Sequence, residues 1–137
     1  MNNSGLAVSL ISQYLNISVS HIWVVHDDID LPLGSMKIRL GGAAAGHHGV
    51  ESIIKQLNTD KFWRFRLGIG VQHGHIDDGK GHAISKYTVP KAEDYVLGNF
   101  VGKERGKLKN LIKRASSALQ TALEEGIEAS QNRFNTK

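Results

Sequence analysis

Apolar residues recur along this chain with two different periods, and each period predicts a different kind of element. In residues 4–15 they fall at helical spacing behind Ser4, which is a suitable N-cap, so we predict an amphipathic helix there. Helical spacing returns in residues 50–57 and in a long stripe over residues 108–123. Gly126 is the expected interruption or end of that last helix.

Three other segments carry strand patterns. Residues 21–26 form a short, β-branched apolar run, which predicts a buried strand that ends at Asp27. Residues 35–40 alternate apolar and basic positions, so one face of this strand should carry Lys37 and Arg39. Residues 63–71 alternate in the same way, and Arg66 lies on their polar face. We expect residues 72–81 to form a loop and residues 91–100 a short irregular element.

The order of these elements predicts an α/β fold, a mixed β-sheet flanked by helices in a single domain over residues 1–137. A domain of this length buries roughly two thirds of the surface of its unfolded chain, enough for one core. Sheets of this class commonly have about four to six strands, so a sheet of three is thin. We therefore expect that an element is missing.

Composition removes several classes of chemistry. The chain has no cysteine, which excludes disulfides, thiolate catalysis and zinc sites built on thiolates. No apolar run approaches the ~20 residues that span a bilayer, and the polar opening is no signal peptide, so we expect a cytoplasmic protein. The net charge is +4. Six of the cations crowd into residues 101–114, where they can meet phosphates or simply form a solvated helix face.

An acidic cluster follows the first predicted strand. Asp27, Asp28 and Asp30 lie where α/β proteins place reactive groups, but aspartates also begin turns for local hydrogen-bonding reasons. Clustered carboxylates suit Mg²⁺ or Ca²⁺ as well. We favour this metal site least, because neither an EF-hand nor a phosphate-binding loop accompanies it.

Glycines and histidines form a second cluster, in residues 41–49, just before a predicted helix. Such a loop can present N–H groups to a phosphate or an oxyanion, or it can be a flexible connection. His47 and His48 add side chains that exchange protons near neutral pH. A third polar cluster suggests a metal site, although a solvated loop is the favoured interpretation; its members are His73, His75, His82, Asp77 and Asp78.

Taken together, the motifs of the chain resemble those of the bacterial peptidyl-tRNA hydrolases, in order and spacing. They are N-x-S-G at residues 2–5, H-D-D-I-D-L-P-L-G at 26–34, G-G at 41–42 with H-x-G at 47–49, F-x-R-x-R-L-G-I-G at 62–70, and Y-V-L-G-x-F at 95–100. The resemblance implies hydrolysis of the ester between peptide and tRNA, by a monomeric enzyme that needs no metal or cofactor and uses a histidine base. Its partner would be peptidyl-tRNA, with no membrane involved.

The resemblance also implies a role for each matching residue. Asp27 falls on the carboxylate that orients the histidine base, and Asn2 on an asparagine that binds the substrate near the scissile bond. His47 has its own position in the family's motif, and with His48 it is expected to contact the substrate. Lys37, Arg39 and Arg66 fall on or beside basic positions that hold tRNA phosphates.

The chain departs from the family pattern in two places. His48 stands where the family has an asparagine that positions water and substrate. A βα segment with a sheet strand, a substrate-discriminating asparagine and the catalytic histidine should precede Asn2, and none of it is present. We therefore expect an N-terminally truncated domain whose Met1 was an internal methionine, and this would also explain the thin sheet.

No histidine of this chain replaces the base by motif, since His26 should point away from Asp27 in an extended strand. We expect this chain alone to hydrolyse peptidyl-tRNA weakly or not at all. The alternative is a non-catalytic tRNA- or RNA-binding relative that keeps the basic face.

Overall fold

The computed structural model describes residues 3–70 and 103–135, and within them the predicted order of elements is confirmed. The elements are α1 (Ser4–Tyr14), a 3₁₀ turn (Val19–His21), β1 (Trp23–Pro32), β2 (Met36–Leu40), α2 (His48–Leu57), β3 (Trp63–Gly70), α3 (Lys103–Glu125) and α4 (Ile127–Phe134). The loop predicted for residues 72–81 and the irregular element predicted for 91–100 lie outside the described residues.

The described strands form one mixed sheet in the order β1-β3-β2, with β1 parallel and β2 antiparallel to β3. In this register Lys37 is opposite Arg66 and Arg39 is opposite Arg64. Directly opposed residues project from the same face of a sheet. The predicted basic face is therefore present in the backbone arrangement of β2 and β3.

The prediction that the first strand ends at Asp27 is wrong, because β1 continues to Pro32. Its pairing with β3 is regular to Asp28, opposite Gly68, and resumes at Pro32, opposite Gly70. A Cβ atom on Gly68 would lie 2.1 Å from the carbonyl oxygen of Pro32. Because β3 has glycine at both positions, the irregular end of β1 can lie directly against it.

The core has two parts, one on each face of the sheet. The first joins β2 and β3 to α3, with Ile38, Phe65 and Leu111 almost fully buried. The second joins α2 to residues of α1 and β1 around Val50 and Phe62. Neighbouring residues of a strand point to opposite faces, so this division follows directly from strand alternation.

Helix α1 is confirmed, but its apolar stripe does not face the described core. The helix buries Gly5, Ser9 and Ser12, whereas Leu10 and Tyr14 are 58% and 88% exposed. The reason is the close approach of α2: the N–H of Gly5 donates to Ser52 Oγ at 3.0 Å, and a Cβ on Gly5 would lie 2.0 Å from the Ser52 carbonyl oxygen. Only small residues fit this contact.

The C-terminal region completes the layer that α3 begins. Gly126 has φ of +101° and interrupts the long helix as predicted, and α4 then turns back along α3. Beyond α4, the side-chain amide of Asn135 accepts from the N–H of Ile38 at 2.7 Å and donates to its carbonyl at 2.8 Å. None of the helices in the described ranges has the length and apolar character needed to cross a bilayer.

Candidate active site

Asp27 and His47 form the central pair of the candidate site. β1 carries Asp27, and His47 is the N-cap residue of α2. The Nε2 atom of His47 lies 3.0 Å from Asp27 Oδ1, and its Nδ1 accepts from the N–H of Val50 at 3.2 Å. Since Nδ1 accepts, the neutral ring carries its proton on Nε2 and donates it to the carboxylate.

The hydrogen bond between Asp27 and His47 shifts the pKa of both side chains. The hydrogen bond from His47 lowers the pKa of Asp27, although partial burial of the carboxyl opposes this. The same bond raises the pKa of His47, again against desolvation. A second proton on His47 would occupy Nδ1 and remove the acceptor of the Val50 N–H. Protonation of His47, which its raised pKa favours, would therefore break the N-cap bond that holds the ring.

His26 lies beside this pair without bonding to the Asp27 carboxylate. Its Nδ1 is 2.7 Å from the backbone carbonyl oxygen of Asp27, and its ring meets that of His47 edge to face, with centroids 5.0 Å apart. Burial lowers the pKa of His26. Its Nε2 is buried and has no hydrogen-bond partner in residues 3–70 and 103–135. His26 is thus an uncharged side chain that lines one side of the site.

Asp28 and Arg66 form a second pair next to the first. Arg66 Nε lies 2.6 Å from Asp28 Oδ2, and the two side chains are 20% and 9% exposed. The other oxygen of Asp28 accepts from the N–H of Asp30 at 2.8 Å. Asp28 therefore combines a local turn bond with an ion pair, and Arg66 is partly engaged within the protein.

The loop that leads to His47 is held by several bonds. Asp60 Oδ2 accepts from the N–H of Gly42 at 3.0 Å, and Arg64 donates to the carbonyl oxygens of Gly42 and Ala43. Positive φ angles occur at Gly42 and at Ala45. These bonds disfavour the interpretation of the loop as a flexible connection.

The other predicted site residues are more scattered. His48 begins α2, is half-exposed, and has Nδ1 3.5 Å from Glu51 Oε2. Lys37 and Arg39 are exposed on β2. Asn2 and the polar cluster at residues 73–82 lie outside the described residues, and within the described ranges no three His, Asp or Glu side chains are placed to hold a metal ion.

Sequence reasoning missed two features of this site. It did not pair Asp27 with His47, although the helical pattern after residue 49 and the N-cap position of His47 could have placed that ring at a helix terminus. It also assigned Arg66 only to a ligand-binding face, whereas the alternation of β3 gives no information about an acidic partner on β1. The Asp28–Arg66 contact depends on the parallel pairing of β1 with β3, and the Asp27–His47 contact depends on where the start of α2 meets β1.

We expect the Asp27–His47 pair to make stability depend on pH. The lowered pKa of Asp27 means that its contribution is lost as the pH falls below 3.8, and the raised pKa of His47 means that its contribution is lost as the pH rises above 6.5. Asp27→Asn should therefore lower the free energy of unfolding by about 1 kcal/mol more at about pH 5.5 than at about pH 8.5. Urea denaturation at both pH values measures this difference. The control is Asp30→Asn, which makes the same chemical change at an exposed position. An equal effect of Asp27→Asn at the two pH values would contradict the prediction.

Comparison with known proteins gives one consistent match. A family model described as peptidyl-tRNA hydrolase matches residues 1–137. The curated peptidyl-tRNA hydrolase of Dehalococcoides mccartyi is 40% identical over 135 residues and that of Syntrophotalea carbinolica 35% identical over 137 residues. These alignments cover 98% and 100% of this chain but only 66% and 64% of the relatives.

Solved structures agree with the sequence relatives. A crystal structure of a peptidyl-tRNA hydrolase in complex with N-propanol superposes with a TM-score of 0.80 at 25% identity. That of peptidyl-tRNA hydrolase from Acinetobacter baumannii gives a TM-score of 0.79, also at 25% identity. Each comparison covers 99% of this chain and 62% of the other chain. The predicted α/β fold is therefore confirmed.

Proposed function

We propose that this chain, which belongs to the peptidyl-tRNA hydrolase family, acts in hydrolysis of the ester bond between peptide and tRNA. The observation that carries the proposal is the carboxylate–imidazole pair of Asp27 and His47. The bond from His47 fixes one oxygen of Asp27, and a carboxylate fixed in this way can hold a histidine base with its other oxygen, which makes that base a better proton acceptor for a water molecule attacking an ester. The products would be free peptide and tRNA.

We assign the base to a histidine other than His47. Both nitrogens of His47 are engaged, Nε2 with Asp27 and Nδ1 with the N–H of Val50, so neither is free to take a proton from water. His26 has a buried Nε2. In this proposal His47 fixes one oxygen of Asp27, and the other oxygen orients a base supplied from outside the described residues.

Basic residues on β2 and β3 are the proposed contacts for tRNA. Lys37 and Arg39 are exposed on the sheet face that Arg66 shares. Cations at such positions bind phosphates without sequence preference, which suits a substrate common to many tRNAs. We propose Asn2 and His48 as further contacts, near the peptide end. We also propose that the protein is a monomer and that it acts in the cytoplasm.

The direct experiment measures hydrolysis and binding on one protein sample. N-acetylated aminoacyl-tRNA is mixed with the full chain, and release of the labelled amino acid is compared with spontaneous hydrolysis; we expect slow release above that background. Lys37→Ala should weaken tRNA binding and reduce the slope of log affinity against log salt by about one. The exposed Lys55→Ala on α2 is the control for a general charge effect.

The two measurements separate the outcomes. Binding without any release would overturn the enzymatic proposal and favour the non-catalytic RNA-binding alternative. Release with an unchanged salt slope would instead count against the proposed basic face.

A further inference from the structure

We propose that Arg64 is a positioning residue for the Asp27–His47 pair, and this inference rests on the function proposed above. Sequence alternation places Arg64 on a basic face of β3, where a ligand contact would be the ordinary expectation. In the structure the residue is only 3% exposed. A buried guanidinium needs partners inside the protein, so the contacts of Arg64 indicate its role.

Those partners are backbone carbonyls of the loop before α2. Arg64 Nη1 donates to the Ala43 carbonyl at 2.9 Å, and Nη2 donates to the Gly42 carbonyl. The guanidinium carbon lies 5.4 Å from the centroid of the Phe62 ring. A planar guanidinium can bond two neighbouring carbonyls at once, which a single point charge does less well. Arg64 thus fixes the orientation of two consecutive peptide groups.

The fixed peptides control where His47 lies. From Ala43 the chain reaches His47 through a turn in which the His47 N–H donates to the Ala44 carbonyl at 3.0 Å. Ala45 has φ of +50°, a conformation that non-glycine residues rarely adopt, and it persists only where the surroundings determine it. The bond from the Gly42 N–H to Asp60 Oδ2 holds the preceding peptide group. Because the start of the loop is held, the imidazole of His47 lies within hydrogen-bond distance of Asp27.

Arg64 holds the loop through hydrogen bonds to backbone carbonyls and not through an ion pair. Burial lowers its pKa, yet an arginine keeps its proton throughout the physiological range. Its Nε is buried without an acceptor in the described part of the chain, so only the Nη atoms hold the loop. Lysine at this position keeps the positive charge and can bond one of the two carbonyls. It should therefore restore part of the positioning.

The test follows the imidazole of His47 directly. In ¹⁵N-labelled full chain, NMR titration reports the pKa and the tautomer of His47 for the wild type, Arg64→Met, Arg64→Lys and Lys61→Met. Lys61→Met is the control because it removes a nearby cation that is 74% exposed. We expect Arg64→Met to move the His47 pKa toward 6.5 and to mix its tautomers, Arg64→Lys to give an intermediate shift, and the control to resemble the wild type.

The hydrolysis assay adds a second readout. Arg64→Met should lower kcat about tenfold with little change in KM, because a misplaced catalytic group affects the chemical step rather than binding. A His47 pKa and tautomer that stay as in the wild type in folded Arg64→Met would overturn the proposal. If Arg64→Met does not fold, Arg64→Lys decides alone: an intermediate shift supports the role, and an unchanged His47 refutes it.

The NMR result does not depend on catalysis. If hydrolysis proved insensitive to Asp27→Asn, the proposed function would be wrong, but the link between Arg64 and His47 would still be measured. If Asp27→Asn abolished hydrolysis while Arg64→Met left His47 unchanged, only the positioning role would fail.

Discussion

Asp27→Asn is expected to bring the slow peptidyl-tRNA hydrolysis of this chain down to the spontaneous background, the largest effect we predict on activity. The amide has nearly the shape of the carboxylate and can still accept a hydrogen bond from His47 Nε2. It carries no charge, so it stabilises an imidazolium far less, and its NH₂ group can favour the wrong tautomer of the base. Initial rates with N-acetylated aminoacyl-tRNA, at enzyme in excess, measure the effect.

A matched control for this substitution lies three residues further along the chain. Asp30→Asn makes the same chemical change at an exposed position, and it should leave the rate within a factor of about two. Because Asp27→Asn acts on the chemical step, tRNA affinity should be unchanged in both variants. Equal rates for wild type and Asp27→Asn would remove Asp27 from the mechanism.

Gly68→Ala is expected to lower the free energy of unfolding by about 3 kcal/mol, the largest effect we predict on stability. The added Cβ would lie 2.1 Å from the Pro32 carbonyl oxygen and 2.6 Å from Ser35 Oγ. A backbone oxygen can retreat only if the end of β1 moves away from β3. Asp28 is opposite Gly68 in the sheet, so the movement should also displace the acidic residues and lower hydrolysis.

Gly106→Ala supplies a control with the opposite sign. Gly106 lies within α3, and a Cβ there would meet no atom within 4 Å. Alanine in a helix interior is more favourable than glycine by about 0.5–1 kcal/mol, so this variant should be slightly more stable than the wild type. Urea denaturation of both variants tests the pair, and a Gly68→Ala protein as stable as the wild type would contradict the proposed steric contact.

Local patterns predicted the elements of this fold well because each pattern has a direct cause within its own segment. Alternation in β2 and β3 and the helical spacing of α2 follow from which residues must face a core. Helix α1 shows the limit of this reasoning. Its spacing predicts a helix correctly, but the buried face includes Gly5, which lies so close to the backbone of Ser52 on α2 that a Cβ atom would clash.

The candidate site divides in a similar way. Asp27 could be selected from its motif and its place after a buried run, because both are visible in the sequence. Its bond to His47 joins residues 20 positions apart, and the contacts of Arg64 are with the loop before α2, about 20 residues earlier in the chain. Such contacts come from tertiary packing, which the alternation of residues along a strand does not reveal.

The bonds between Asn135 and Ile38 have a consequence for the behaviour of this protein at high concentration. Within the described sheet β2 is an outer strand, and the unpaired backbone groups of an outer strand can template a strand of another molecule. The amide of Asn135 occupies both backbone groups of Ile38, and Gln131 shares the carbonyl. Asn135 and Gln131 thereby protect this part of β2 from intermolecular strand addition, and removal of the segment that carries them would open a route to aggregation.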